Sequence, residues 1–261
     1  MATDTAQMEG SMNIRGLIED RAFFGLIKLL PITKLQAGIS YWGWAKMPPT
    51  KNGVWMDWWL KHFLVKNRNN FSSLSELAGL LEKELRKLVP PLSDQELEIT
   101  DGSVGGGVHL AQFIDEGQKR IPCFWHIHNG KCTALPEKKI DPHVVNANYD
   151  CPPKKYLELE SQGLIRYQTT NGDIKPYARF FRKYLKNYLN ELNKEMGIII
   201  PIPNIGFEAN FLRAQIKFIS GLYAVGGYKS KGTIKQLPRG ISENVTTLTI
   251  TEDGIQSYQT L

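Results

Sequence analysis

Cys123, His126, His128 and Cys132 place two thiols and two imidazoles within ten residues, which is the ligand set of a structural zinc site. Strand alternation argues against their convergence. Asn129-Gly130 is a two-residue hairpin signal. Such a turn would set His128 opposite Lys131 and Ile127 opposite Cys132, with the histidines on one side of the hairpin and both cysteines on the other. The expectation is two ordinary cysteines under a sheet, two histidines on its other face, and no metal site. The glycine clusters Gly105-Gly106-Gly107 and Gly226-Gly227 lack the lysine and hydroxyl residue of a phosphate-cradling loop and the spacing of a dinucleotide fingerprint. They are expected where packed backbones approach closely or a strand kinks. There is no Gly-x-Ser-x-Gly elbow and no His-Glu-x-x-His pair, and the 26 acidic residues single out no glycosidase pair. No cofactor is expected.

The elements that would position these groups follow from periodicity. Leu26–Ile32 and Leu35–Trp42 read as two short strands around a tight turn at Thr33-Lys34. Trp55, Trp59 and Phe63, with Met56 and Leu60 beside them, form one apolar helical face. Ser73-Leu74-Ser75-Glu76 is a capping box, and Leu77, Leu81, Leu85 and Leu88 continue a stripe that stops at Pro90. From Val108 to Leu135 at least three antiparallel strands are expected, with a turn at Asp115-Glu116-Gly117. Tyr177, Phe181, Tyr184, Tyr188 and Leu192 mark a third helix, and Phe211 to Tyr223 a fourth that ends at Gly226-Gly227. Val245–Ile250 reads as the last strand. Strands, two helices, strands, two helices and a strand make an α+β architecture rather than a βαβ parallel sheet.

Composition bounds the function. The chain has 261 residues, 42% of them hydrophobic and 22% charged, enough for its own core without disulfide staples. Its 32 basic residues against 26 acidic ones are spread along the chain, and the cluster Arg179, Arg182, Lys183 and Lys186 is followed by Glu191 and Glu195 like the wet face of a helix. No nucleic-acid-binding motif accompanies that charge, so nucleic acid is not an expected partner. No apolar run approaches the roughly 20 residues of a membrane span. Three cysteines without framework spacing, and a start without a secretion signal, lead us to expect a cytoplasmic protein. With no internal repeat, 1–261 is expected to be a single domain, with an insertion around 138–173.

Several stretches are together similar to a known family. Ala2-Thr3-Asp4-Thr5 resembles the Ala-Asp-Ser stretch on the second strand of proteasome β subunits and related N-terminal-nucleophile hydrolases. Lys28-Leu29-Leu30-Pro31-Ile32 resembles their lysine-led strand, with Gly38 ten residues after the lysine and two helices following. Ala224-Val225-Gly226-Gly227 and Leu248 to Ile255 resemble the closing helix end and last strand. The resemblance runs in order along nearly the whole chain. It implies a four-layer αββα sandwich of two antiparallel sheets flanked by helices. It also implies chemistry in which the free α-amino group of an N-terminal Thr, Ser or Cys serves as base for its own side chain. Asp4 and Lys28 match the family's tuning pair, in which the cation lowers the nucleophile's pKa and the carboxylate orients the cation.

The nucleophile itself has no match. It should precede the aspartate by about one strand, some 15 residues, whereas Thr3 is adjacent to Asp4, where successive side chains face opposite ways. The family's accessory Asp and Ser fall on Leu222 and Val225. The leading expectation is therefore a proteasome-β-like protein that is catalytically incomplete as this chain. The alternatives are an active amidohydrolase or peptidase, acting on peptide or amide substrates, whose first strand lies upstream, and a non-catalytic assembly or binding module. The third would use the surface around Trp42, Trp44, Trp55 and Trp58, and self-association into a homo-oligomer goes with it.

Overall fold

A computed structural model of the chain describes residues 2–4, 7–13, 16–23, 26–50, 52–99, 106–130, 141–150, 191, 194–195, 197, 205–225, 227–230, 233–236 and 244–260. These fall into two compact units. The first comprises 28–167 and 250–258 together with Met1, and the second 2–27, 168–249 and 259–261.

The first unit is built on a five-stranded antiparallel sheet. Its strands are β4 (Leu29–Ile32), β5 (Ala37–Trp42), β8 (Gly107–Glu116), β9 (Lys119–His128) and β10 (Asn146–Asp150), in the order β10-β9-β8-β5-β4. The expected β4–β5 pair is present; its turn is a short 3-10 segment, Thr33–Leu35, closed by Gln36 at φ +51. The Gln36 side chain also accepts a 2.9 Å hydrogen bond from the Ile255 N–H, and the Tyr258 hydroxyl donates to the Leu29 carbonyl at 2.8 Å, so residues 250–258 are tied to this sheet. β8 and β9 turn through Gly117, whose φ of +63 suits a residue without a side chain.

Two helices pack on one face of this sheet. Helix α1 (Met56–Lys66) buries Met56, Leu60 and Phe63, and Trp59 stacks on Phe63 with ring centroids 5.3 Å apart. Helix α2 (Leu74–Leu88) starts at the expected capping box, with Ser73 Oγ accepting from the Glu76 N–H and the Glu76 carboxylate accepting from the Ser73 N–H. Hydrogen bonds from Ser72 and Ser73 hold Glu76 below the usual carboxylate range. Leu77, Leu81 and Leu85 are wholly buried against Ile39, Leu110 and Ile127 of the sheet. A short β6–β7 pair (Lys46–Met47 with Val54–Trp55) leads into α1.

Several expectations require correction. A third helix, α3 (Asp94–Ile99), follows α2 directly; Ser93 and Glu96 repeat the capping arrangement of Ser73 and Glu76. Beyond Asn129-Gly130 the strand paired with β9 is β10, so His128 faces Asn146 and Ile127 faces Ala147, rather than Lys131 and Cys132. The local turn signal competes there with a longer connection, and the Gly130 N–H donates to the Pro142 carbonyl at 2.7 Å. β10 lies inside the stretch read as an insertion and is an integral strand of the sheet. Trp44 is not a surface residue: it is 5% exposed, because its indole lies over Gly106 where any Cβ would collide with the ring.

In the second unit, β1 (Ala2–Asp4) pairs antiparallel with β13 (Val245–Thr251), placing Thr3 opposite Thr246 and Asp4 opposite Val245. The N-terminal hairpin of β2 (Gln7–Asn13) and β3 (Gly16–Phe23), which periodicity did not reveal, carries a bulge between Glu9 and Ser11. Helix α4 (Ile205–Val225) covers the expected fourth helix and ends at Gly226-Gly227, followed by the hairpin β11 (Gly227–Ser230) and β12 (Thr233–Gln236). Arg213 on α4 donates to Thr247 Oγ1 at 2.8 Å and to Gln259 Oε1 at 3.0 Å. β13 is not the last strand: β14 (Gly254–Thr260) follows it, and residues 254–258 of β14 belong to the first unit. The aromatic stripe from Tyr177 to Tyr188, Leu192, and residues 131–140 with Cys132 lie outside the described residues.

Candidate functional site

Alternation along the strands gives the five-stranded sheet two faces of different chemistry. Ile39, Tyr41, Val108, Leu110, Trp125, Ile127, Ala147 and Tyr149 share the face that packs on the helices. On the opposite face, register brings Ser40, His109, His126 and Asn148 into one row across β5, β8, β9 and β10, each the Cα partner of the next. The adjacent row contains Trp42, Gly107, His128 and Asn146. Cross-strand neighbours on one face are close enough for side chains to touch, and here they do. The His109 and His126 rings meet edge to face with centroids 4.8 Å apart, and Trp42 lies 6.5 Å from His109 and 6.3 Å from His128. Gly107 permits this approach, since a Cβ there would come within 2.8 Å of both Trp42 Nε1 and His128 Cβ.

The electrostatics of the row follow from its burial. Desolvation pushes the His109 imidazole well below its ordinary value, and the neighbouring His126 and His128 rings add to the shift, because a proton on one disfavours a proton on the next. The neutral form of His109 is therefore favoured, and protonating the ring in place is disfavoured. His128 Nδ1 lies 2.9 Å from the Asn129 carbonyl and donates to it when that nitrogen carries the proton. Among the described residues, Trp42 Nε1 and Asn148 Nδ2 on this face find no hydrogen-bond acceptor, the latter on a residue only 1% exposed. Buried donors of this kind are normally satisfied by water or a ligand.

The residues singled out from sequence are placed as follows. His126 and His128 share one face of β9, and Cys123 is buried under the other face, opposite Gln112. No group of three His, Cys, Asp or Glu side chains among the described residues could hold a metal ion. Gly106 and Gly107 serve close packing rather than phosphate binding. Lys28 is 8% exposed at the head of β4, and its carbonyl accepts from the Tyr41 N–H at 3.1 Å. Asp4 ends β1, in the other unit. Leu222 and Val225 lie in α4. Ser40, His109 and Asn148 were not singled out from sequence: each reads as an isolated polar residue in an apolar strand, and only the pairing register joins them.

No protein-family model, curated protein or solved structure matches the chain. No described helix is long and apolar enough to cross a membrane.

Proposed function

We propose that the chain is a proteasome-β-like protein of the N-terminal-nucleophile hydrolase kind, in the four-layer αββα sandwich of that family. Lys28 and Asp4 are the residues that match the family's tuning pair, and the chain does not cleave peptides through Thr3. The observation that carries the reading is the buried Lys28, 8% exposed, at the head of the β4–β5 hairpin. Lysines are rarely buried unless paired, and this one stands where the resemblance puts the cation that lowers a nucleophile's pKa. An antiparallel sheet with α1 and α2 on one face supports the reading, since it is what one half of such a sandwich would need. Thr3 is consecutive with Asp4 in β1 and paired to Thr246, so the two side chains point to opposite faces of the strand, which speaks against Thr3 as the nucleophile that Asp4 would serve.

Incubation of the pure chain with a panel of fluorogenic peptides tests the proposal. No release above buffer is expected, and hydrolysis lost in Thr3→Ala would overturn it. A second reading, an assembly or binding module, is favoured by Trp58 and Val65, which are 51% and 68% exposed on α1. Light scattering across a concentration series would show a rising mass under that reading and a constant monomer mass against it.

A further inference from the structure

Helix α1 has two faces that differ in what they meet. Met56, Leu60 and Phe63 are buried on the sheet side. Trp58, His62 and Val65, at i, i+4 and i+7, lie on the opposite side and are exposed, as is Val54 just ahead of the helix. The His62 ring lies against the Trp58 ring with centroids 3.7 Å apart, and His62 Nδ1 stands 3.1 Å from the Trp58 carbonyl, so the indole is held in place in the open. At 3.6 residues per turn, Lys61 and Lys66 fall on either side of this stripe, each roughly 70° from its middle. Arg68 follows just beyond the helix cap at Asn67. Among the described residues none of these three cations enters an ion pair, and Asp57 is the only acid of α1. On α2, by contrast, Arg86 meets Glu82 at 2.8 Å and Lys87 meets Glu84 at 3.0 Å.

The make-up of this face selects its partner. Its three apolar side chains fall far short of the roughly 800 Å² per partner of a stable protein complex. A second copy would set the same unpaired cations against one another across a symmetric contact. Tryptophan combines an apolar body with a polar N–H and settles where hydrocarbon meets water. Lysine stems lie along apolar surface while their ammonium groups reach outward to anions. We propose that the outer face of α1 seats the protein on a lipid bilayer with anionic headgroups. Trp58 and Val65 enter the interface, and Lys61, Lys66 and Arg68 meet the lipid phosphates and carboxylates. This contact is peripheral, and it stands apart both from the reading of Asp4 and Lys28 and from self-association, which the light-scattering mass measures without lipid.

Sedimentation of the full chain with vesicles tests it. Vesicles of phosphatidylcholine with about 30% phosphatidylserine should carry the chain down, and pure phosphatidylcholine vesicles should not. Lys61→Gln and Lys66→Gln should each weaken partitioning about 5-fold, and about 1 M salt should remove the preference for the anionic vesicles. Trp58→Ala should weaken partitioning by at least about 10-fold. Urea titration establishes that each variant is folded. Brominated acyl chains should quench the indole fluorescence of the wild type, and Trp58→Phe should lose most of that quenching while still sedimenting. No sedimentation, equal sedimentation with neutral vesicles, or undiminished partitioning in folded Trp58→Ala or in the double lysine variant would overturn the proposal. So would binding to a nucleic-acid duplex that is lost in the same variants while vesicle binding is kept.

Discussion

Acidification from about pH 7.5 to about pH 5 is expected to destabilise the first unit through His109, whose folded-state pKa lies well below its ordinary value. A histidine with a depressed folded-state pKa binds its proton more readily in the unfolded chain. Stability is therefore full above the unfolded pKa and falls as the pH drops below it. With an unfolded pKa near 6.5 and one proton difference, the slope approaches ~1.4 kcal/mol per pH unit, and the loss at pH 5 approaches ~2 kcal/mol. Glu76 and Glu96 are held low by hydrogen bonds from Ser72 and Ser93, so what they contribute is lost only at more acidic pH. All six tryptophans lie between Trp42 and Trp125, inside the first unit, so intrinsic fluorescence reports on that unit alone. Urea titrations at half-unit pH steps should show midpoints falling below about pH 6.5 in the wild type and a flatter profile in His109→Gln. A wild-type profile flat to pH 5, or an equal slope in His109→Gln, would refute the reasoning.

Other perturbations test the packing. Ser73→Ala removes the acceptor for the Glu76 N–H at the start of α2 and should cost about 1 kcal/mol in a urea titration. Gly106→Ala drives a Cβ into the Trp44 indole and should cost about 1–3 kcal/mol, with a shifted tryptophan emission maximum. Leu81→Ala empties a wholly buried position between α2 and the sheet and should cost about 2–5 kcal/mol, whereas Trp58→Ala, at a residue 51% exposed, should stay within about 0.5 kcal/mol.

What the sequence made legible was local. The capping box at Ser73, the apolar stripes of α1 and α2, the β4–β5 turn and the end of α4 before Gly226-Gly227 depend on contacts within a few residues, and the structure has them where the pattern puts them. The opposite-face placement of Cys123 and His126 followed from strand alternation alone. What depended on distant partners was not legible. β10 pairs with β9 across a connection whose length the Asn129-Gly130 signal hid, and β14 returns along β13 after a turn at Glu252-Asp253. The row of Ser40, His109, His126 and Asn148 spans more than a hundred residues of chain, and no spacing in one dimension joins them. Lys28 was found through resemblance rather than periodicity, and its burial is a tertiary property.

The proposed function combines a hydrolase-like fold, with Lys28 and Asp4 matching the family's tuning residues, and a Thr3 that is no nucleophile. Intact-mass measurement after incubation with a threonine-directed epoxyketone probe tests it most directly. The account predicts an unchanged mass for the full chain. A stoichiometric adduct that maps to Thr3 would contradict it.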